Sequence, residues 1–138
     1  MTDLAASPAR RSGFPPSLRQ TLIVIGLGAG PWLLAALLLR ALAPFGIYEG
    51  AGRVRLYLLI VPGTLPVVLL VRRIAGRAQV GLGMAVGTAA ATLPDGPALA
   101  WAPGLHGTDA AQHAGAGAAI LWGGGVGLAL GALMTRAD

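Results

Sequence analysis

Thr92-Leu93-Pro94-Asp95-Gly96-Pro97 lies near one end of an apolar stretch that runs from Gln79 to Gly107. The stretch is long enough to be a membrane span, but it carries a lone carboxylate between two prolines. How that hexapeptide is read decides the fold. If the segment crosses a bilayer, Asp95 sits about 25 Å along a helix from Arg77, in the outer third of the membrane, at a rise of about 1.5 Å per residue. A charged carboxylate at mid-bilayer costs about 2.5–3.5 kcal/mol on insertion scales and less near the interface. Asp95 is therefore expected to face the interior of a helix bundle or its polar mouth.

The rest of the composition agrees with a membrane setting. The 138 residues are 55% hydrophobic and only 11% charged, which departs from soluble domains in the direction of integral membrane proteins. Cysteine is absent, so disulfides, thiolate metal sites and thiol redox chemistry are excluded. Lysine and asparagine, whose codons are AT-rich, are absent as well, while Ala, Gly, Arg and Pro abound, as expected of a GC-rich bacterial genome. The net charge of +5 would suggest nucleic-acid binding in a soluble protein. Here the arginines flank apolar runs instead of forming one face, so they read as topology signals and no nucleic-acid partner is expected.

Four spans are expected, at about 21–41, 55–71, 79–101 and 114–135, preceded by a disordered basic cytoplasmic tail over residues 1–19. The uncharged run from Gln20 to Leu39 is 20 residues long, beyond the about 7–15 of a signal-peptide core, and Pro44 follows Ala41-Leu42-Ala43, so the first span is expected to be retained. The second has only 16 residues between Arg55 and Arg72 and is interrupted by Pro62, Gly63 and Pro66. A kink explains that interruption better than a substrate site, since no matching break in a repeated half accompanies it. The N-terminal tail, the turn at 72–77 and the C-terminus hold seven arginines, against three in the first loop. Both termini are thus expected in the cytoplasm.

With that topology Arg40, Arg55 and Asp95 fall toward the same outer face, and the two arginines are the cations nearest Asp95 by depth. Asp95 is expected either to form a buried charge cluster with Arg40 or Arg55, or to end a helix so that Gly96-Pro97 begins a surface loop. A functional alternative is a proton- or cation-coupling carboxylate in a small transporter. His106 and His113, seven apart with Asp109 between them, would share a helix face, but two histidines without a third ligand are a weak metal signal and solvated interfacial histidines are expected. No catalytic, cofactor or metal site is expected.

Glycine carries the clearest local patterns. Gly123, Gly127 and Gly131 at i, i+4, i+8, and Gly83 with Gly87, form small-residue stripes suited to close helix packing, within one bundle or with other membrane subunits or a second copy. Gly26-Leu27-Gly28-Ala29-Gly30-Pro31 fails the dinucleotide fingerprint, because the third glycine falls at Pro31 and no βαβ unit follows. Gly26 and Gly30 are expected instead to let another helix approach, with Pro31 bending the span.

The basic turn, the third span with Asp95 near its outer end, the stretch containing Pro103, and the fourth span opening with Leu121-Trp122-Gly123 resemble a bacterial membrane family catalogued as domain-of-unknown-function family 5367. The resemblance covers most of residues 20–135 and implies a compact four-span bundle. The sequence is thus read as an all-α four-helix membrane bundle without enzymatic activity. An accessory or structural subunit is expected, with the lipid bilayer as its first partner.

Overall fold

The computed structural model describes residues 17–135, which are helical and contain no strand. Five helices follow in order: α1 (Leu18–Leu42), α2 (Gly50–Ala75), α3 (Val80–Thr92), α4 (Asp95–Trp101) and α5 (Ala110–Met134). Single 3₁₀ turns at Ala43–Phe45, Arg77–Gln79 and Pro103–Leu105 fill three of the connections. Three segments, Leu18–Phe45, Gly50–Ala75 and Ala110–Met134, are long and apolar enough to cross a membrane.

Local chemistry explains most boundaries. Ser17 starts α1 through a capping box, its hydroxyl accepting from the Gln20 amide at 3.3 Å while Gln20 Oε1 accepts from the Ser17 amide at 2.9 Å. Helix therefore begins inside the stretch expected as a tail, and the first 16 residues of that stretch lie outside the described residues. Gly46, at φ 70°, closes the turn after α1 in the left-handed region. α2 extends past both ends of the expected span, incorporating Arg53, Arg55, Arg72 and Arg73 in its end turns. Pro62 and Pro66 are accommodated within it, as Pro31 is within α1.

The third apolar stretch behaves differently. Pro94 and Pro97 remove two amide donors three positions apart with Gly96 between them, and the helix divides at Leu93-Pro94. Leu93 still donates to Ala89 O at 2.9 Å, and regular bonding resumes with Ala98 on Pro94 O at 2.9 Å. α3 has 13 residues, about 20 Å of helix, and falls short of a bilayer core by itself. Asp95 opens α4 instead of ending a helix, which corrects the expectation of a surface loop at Gly96-Pro97.

α3 occupies the centre, packed against α1, α2 and α5. Small residues make this possible. A Cβ on Gly28 would overlap the carbonyl of Gly87, so α1 and α3 touch backbone to backbone there. A Cβ on Gly131 would stand 2.7 Å from Met84 Cβ, and one on Gly83 would stand 2.6 Å from Val71 Cγ1. Gly127 faces Met84 and Thr64, and Gly123 faces Ile60. Gly26 and Gly30 have nothing near them; the contact on α1 is made by the glycine between.

The buried core is small and split. Val68, Val71, Val80 and Met84 form one cluster, and Ala43, Tyr48 and Ala116 form another. Polar clasps tie the end of the bundle where α1 begins and α5 finishes. Gln20 Nε2 donates to Ile74 O at 2.9 Å, and the Gly81 amide, at the uncapped start of α3, donates to Thr135 Oγ1 at 2.8 Å. Much of the remaining surface is large and apolar: Leu34, Leu58, Leu59, Leu121 and Leu133 are all mostly exposed.

Candidate functional site

At the opposite end of the bundle, the division of the third stretch sets the position of Asp95. As the first residue of α4 it turns inward and is 5% exposed. The chain then leaves α4 at Trp101, and the 3₁₀ turn Pro103–Leu105 returns it so that His106 enters the interior completely. From the other side, α1 presents Trp32, one residue past Pro31 and one turn beyond the glycine contact with α3.

These three side chains meet on one oxygen. Trp32 Nε1 donates to Asp95 Oδ1 at 2.6 Å, and His106 Nε2 lies 3.2 Å from the same atom. An indole can only donate, so the tryptophan bond fixes Oδ1 as an acceptor. Placing the imidazole proton on Nε2 gives Oδ1 a second donor and leaves Nδ1 as a lone pair, avoiding an orphaned buried N–H. Asp95 Oδ2 and His106 Nδ1 are both buried without a protein partner. An acid and an imidazole thus form a closed unit with one polar atom to spare on each.

The arginines expected to pair with Asp95 do not. Arg40 and Arg55 are both exposed, and the one ion-pair contact among the described residues is that of Asp95 with His106. On α1 the residue level with Asp95 is Trp32, and Arg40 lies about two turns further along the helix. Arg40 lies on the outward side of α1, and a guanidinium on a long stem lowers its energy by reaching water instead of entering the bundle.

The histidines also depart from expectation. His106 is a fully buried partner of Asp95 and not a solvated side chain. His113, on α5, has its Nε2 3.1 Å from Gly107 O, so each imidazole is engaged in a different place. Among the described residues no three His, Asp or Glu side chains gather as metal ligands. Trp32 was missed in the sequence. The available signal was its indole N–H, a donor inside an apolar run that must find an acceptor there.

Two further groups belong to this end. Tyr48 is buried against Gly115 and Ala116, and burial raises its phenol above the ordinary tyrosine value. Tyr57 stacks on Trp122 with ring centroids 5.7 Å apart, and Trp122 Nε1 donates to Tyr57 O at 3.1 Å. Phe45 and Trp101 project outward nearby, 80% and 83% exposed. Aromatic rings collected at one end of apolar helices are the arrangement favoured at a membrane interface.

Over the described residues the fold and site define an all-helical protein with three helices of membrane-crossing length and a buried aspartate–histidine pair where a divided helix meets α1. Comparison with family models, with curated proteins and with solved structures gave no match.

Proposed function

We propose that the chain is a four-crossing protein of a bacterial cytoplasmic membrane, with both termini inside, acting without enzymatic activity as an accessory or structural subunit of a membrane complex. In this reading α3 and α4 together make the third crossing, and the resemblance to family 5367 points to the same compact bundle. The observation that carries it is the pair of contacts that Asp95 Oδ1 makes within the chain. Its hydrogen bonds go to Trp32 and His106 of the same chain, so the carboxylate fastens α1, α4 and the turn before α5 together. Among the described residues no hydroxyl hydrogen-bonds to the His106 imidazole as an activated nucleophile would. Outside the bundle, Gly26 and Gly30 leave a flat strip on α1 where a helix of another subunit can approach closely.

Affinity purification in mild detergent followed by mass spectrometry tests this reading. A stoichiometric membrane partner is expected, and its loss when Gly26 or Gly30 is replaced by Leu would place the contact on α1. A chain that purifies alone and drives pH-dependent flux in proteoliposomes would overturn it.

A second reading has one observation in its favour. Asp95 Oδ2 and His106 Nδ1 are buried and unpartnered, and an ionisable pair inside a membrane with spare proton sites suits a coupling role. In that case Asp95 carries a proton or cation in a small oligomeric transporter, and Asp95→Asn abolishes flux while leaving the protein folded.

A further inference from the structure

The connection between α1 and α2 and the beginning of α5 surround a cavity of about 480 Å³ that opens to one side. Its size falls within the about 300–1,000 Å³ of small-molecule sites. It is separate from the Asp95 site, whose three residues do not line it.

Three charged residues line it from two elements: Glu49 and Arg53 at the head of α2, and Asp109 just before α5. Among the described residues none of the three belongs to an ion pair, so they border the same space without neutralising one another. Arg53 is held in place by its Nε, which donates to Tyr48 O at 2.7 Å and leaves both Nη groups able to donate elsewhere. Asp109 uses Oδ1 to cap α5 on the Gln112 amide at 2.9 Å, which leaves its second oxygen. Glu49 precedes α2 but its side chain makes no capping bond.

The remaining wall is aromatic and apolar apart from Gln112, whose Oε1 already accepts from the Thr108 amide at 2.8 Å. Tyr48 and Tyr57 line one side, and Ala111, Ala114 and Ala118 continue along α5 toward its membrane-crossing stretch. A cation able to fork onto a phosphate, two carboxylates outside any ion pair, and a row of alanines leading away along α5 suit a phosphodiester bearing a primary ammonium and an apolar tail.

We propose that this cavity binds the headgroup of a phosphatidylethanolamine-type lipid, with the phosphate on the Arg53 guanidinium, the ammonium between Glu49 and Asp109, and an acyl chain leaving along Ala114 and Ala118. The assignment rests on the membrane reading given above. A choline headgroup has no N–H to offer the carboxylates, and a glycerol headgroup has no positive charge. Free phosphoethanolamine shares the headgroup chemistry but makes no use of the alanine wall.

The test uses the full chain purified in detergent and titrated separately with phosphatidylethanolamine, phosphatidylcholine, phosphatidylglycerol and soluble phosphoethanolamine, with binding read by native mass spectrometry. One phosphatidylethanolamine is expected to be retained, with affinity about tenfold above the other two lipids. Arg53→Gln is expected to weaken it about tenfold, and Glu49→Gln combined with Asp109→Asn to remove the preference over choline lipid; Asn at 109 keeps a competent helix cap. Arg53, Glu49 and Asp109 are exposed, so these variants should match the parent in circular dichroism. Equal binding of the three lipids, or a preference unchanged in the variants, overturns the assignment. Phosphoethanolamine binding as tightly as the lipid overturns the lipid as occupant. Alkaline carbonate washing separates the two levels: release of the protein overturns the membrane reading itself, whereas retention without lipid preference overturns only the cavity assignment.

Discussion

Trp32 and Asp95, 63 positions apart, are joined by a 2.6 Å hydrogen bond from the indole N–H to Oδ1. The bond links α1 to the first residue of α4, so the proline break and the fastening of this end of the bundle belong to one feature. Without the break, Asp95 would continue the helical path of α3. With it, the carboxylate opens a new helix facing α1 and the returning turn that carries His106.

His106 completes that feature, and the arginines do not. His106→Ala should lower stability by about 2–3 kcal/mol, since it leaves a void and removes a donor from a buried carboxylate. Arg40→Ala and Arg55→Ala should stay within about 0.5 kcal/mol of the parent, as exposed side chains away from the site. Unfolding in mixed detergent micelles, followed by circular dichroism, checks both. Arginine variants as damaging as the histidine variant would restore the charge cluster expected from the sequence.

What could be read beforehand follows a physical divide. Long apolar runs bounded by arginines need only length and composition to be seen, and the proline pair at 94 and 97 announces a disruption by its missing amides. Which residue meets Asp95 depends on helix rotation and on how the Pro103–Leu105 turn folds back, and neither leaves a periodic trace. His106 in a glycine-rich connection therefore resembled a solvated histidine. The run Gly26, Gly28, Gly30 posed the same difficulty, because alternate glycines offer two different helix faces and only the neighbour, Gly87, selects the middle one.

That selection gives a sharp contrast between adjacent sites. Gly28→Ala should destabilise the bundle by about 1–3 kcal/mol, because its Cβ would meet the Gly87 carbonyl and backbone must move. Gly26→Ala and Gly30→Ala meet nothing and should be neutral or stabilising by up to about 1 kcal/mol through helix propensity. Gly127→Leu, directed at Met84 and Thr64, should unfold the protein instead of merely releasing a partner. Thermal melts of the four variants in detergent decide the matter, and equal effects at 26, 28 and 30 would contradict the α1–α3 contact.

Tyr48 offers a pH-dependent counterpart. Its hydroxyl is buried without a partner, so Tyr48→Phe should be neutral or stabilising by up to about 1 kcal/mol. The raised phenol pKa means that the folded state favours the protonated form. The associated stability is present below the unfolded tyrosine value of about 10 and is lost as pH rises through the folded value. Ultraviolet titration should show a phenolate appearing above the ordinary range in the parent and missing from the Phe variant.

Because the chain has no cysteine, single substitutions report sidedness cleanly. Gly46→Cys and Thr108→Cys should react with an impermeant maleimide from outside the cell, and Gly76→Cys only after the membrane is opened. If Thr108→Cys is protected like Gly76→Cys, then α3 and α4 re-enter on the same side and do not cross.

The fastening of α1 to α4 through Asp95 is tested most directly by a double-mutant cycle of Trp32→Phe and Asp95→Ala, measured as unfolding free energy in mixed micelles; Ala is used because Asn would keep an acceptor oxygen for the indole. A coupling of about 1 kcal/mol between the two sites is expected for a direct buried hydrogen bond. Single effects that add to within about 0.3 kcal/mol would contradict the contact and with it the structural role of Asp95.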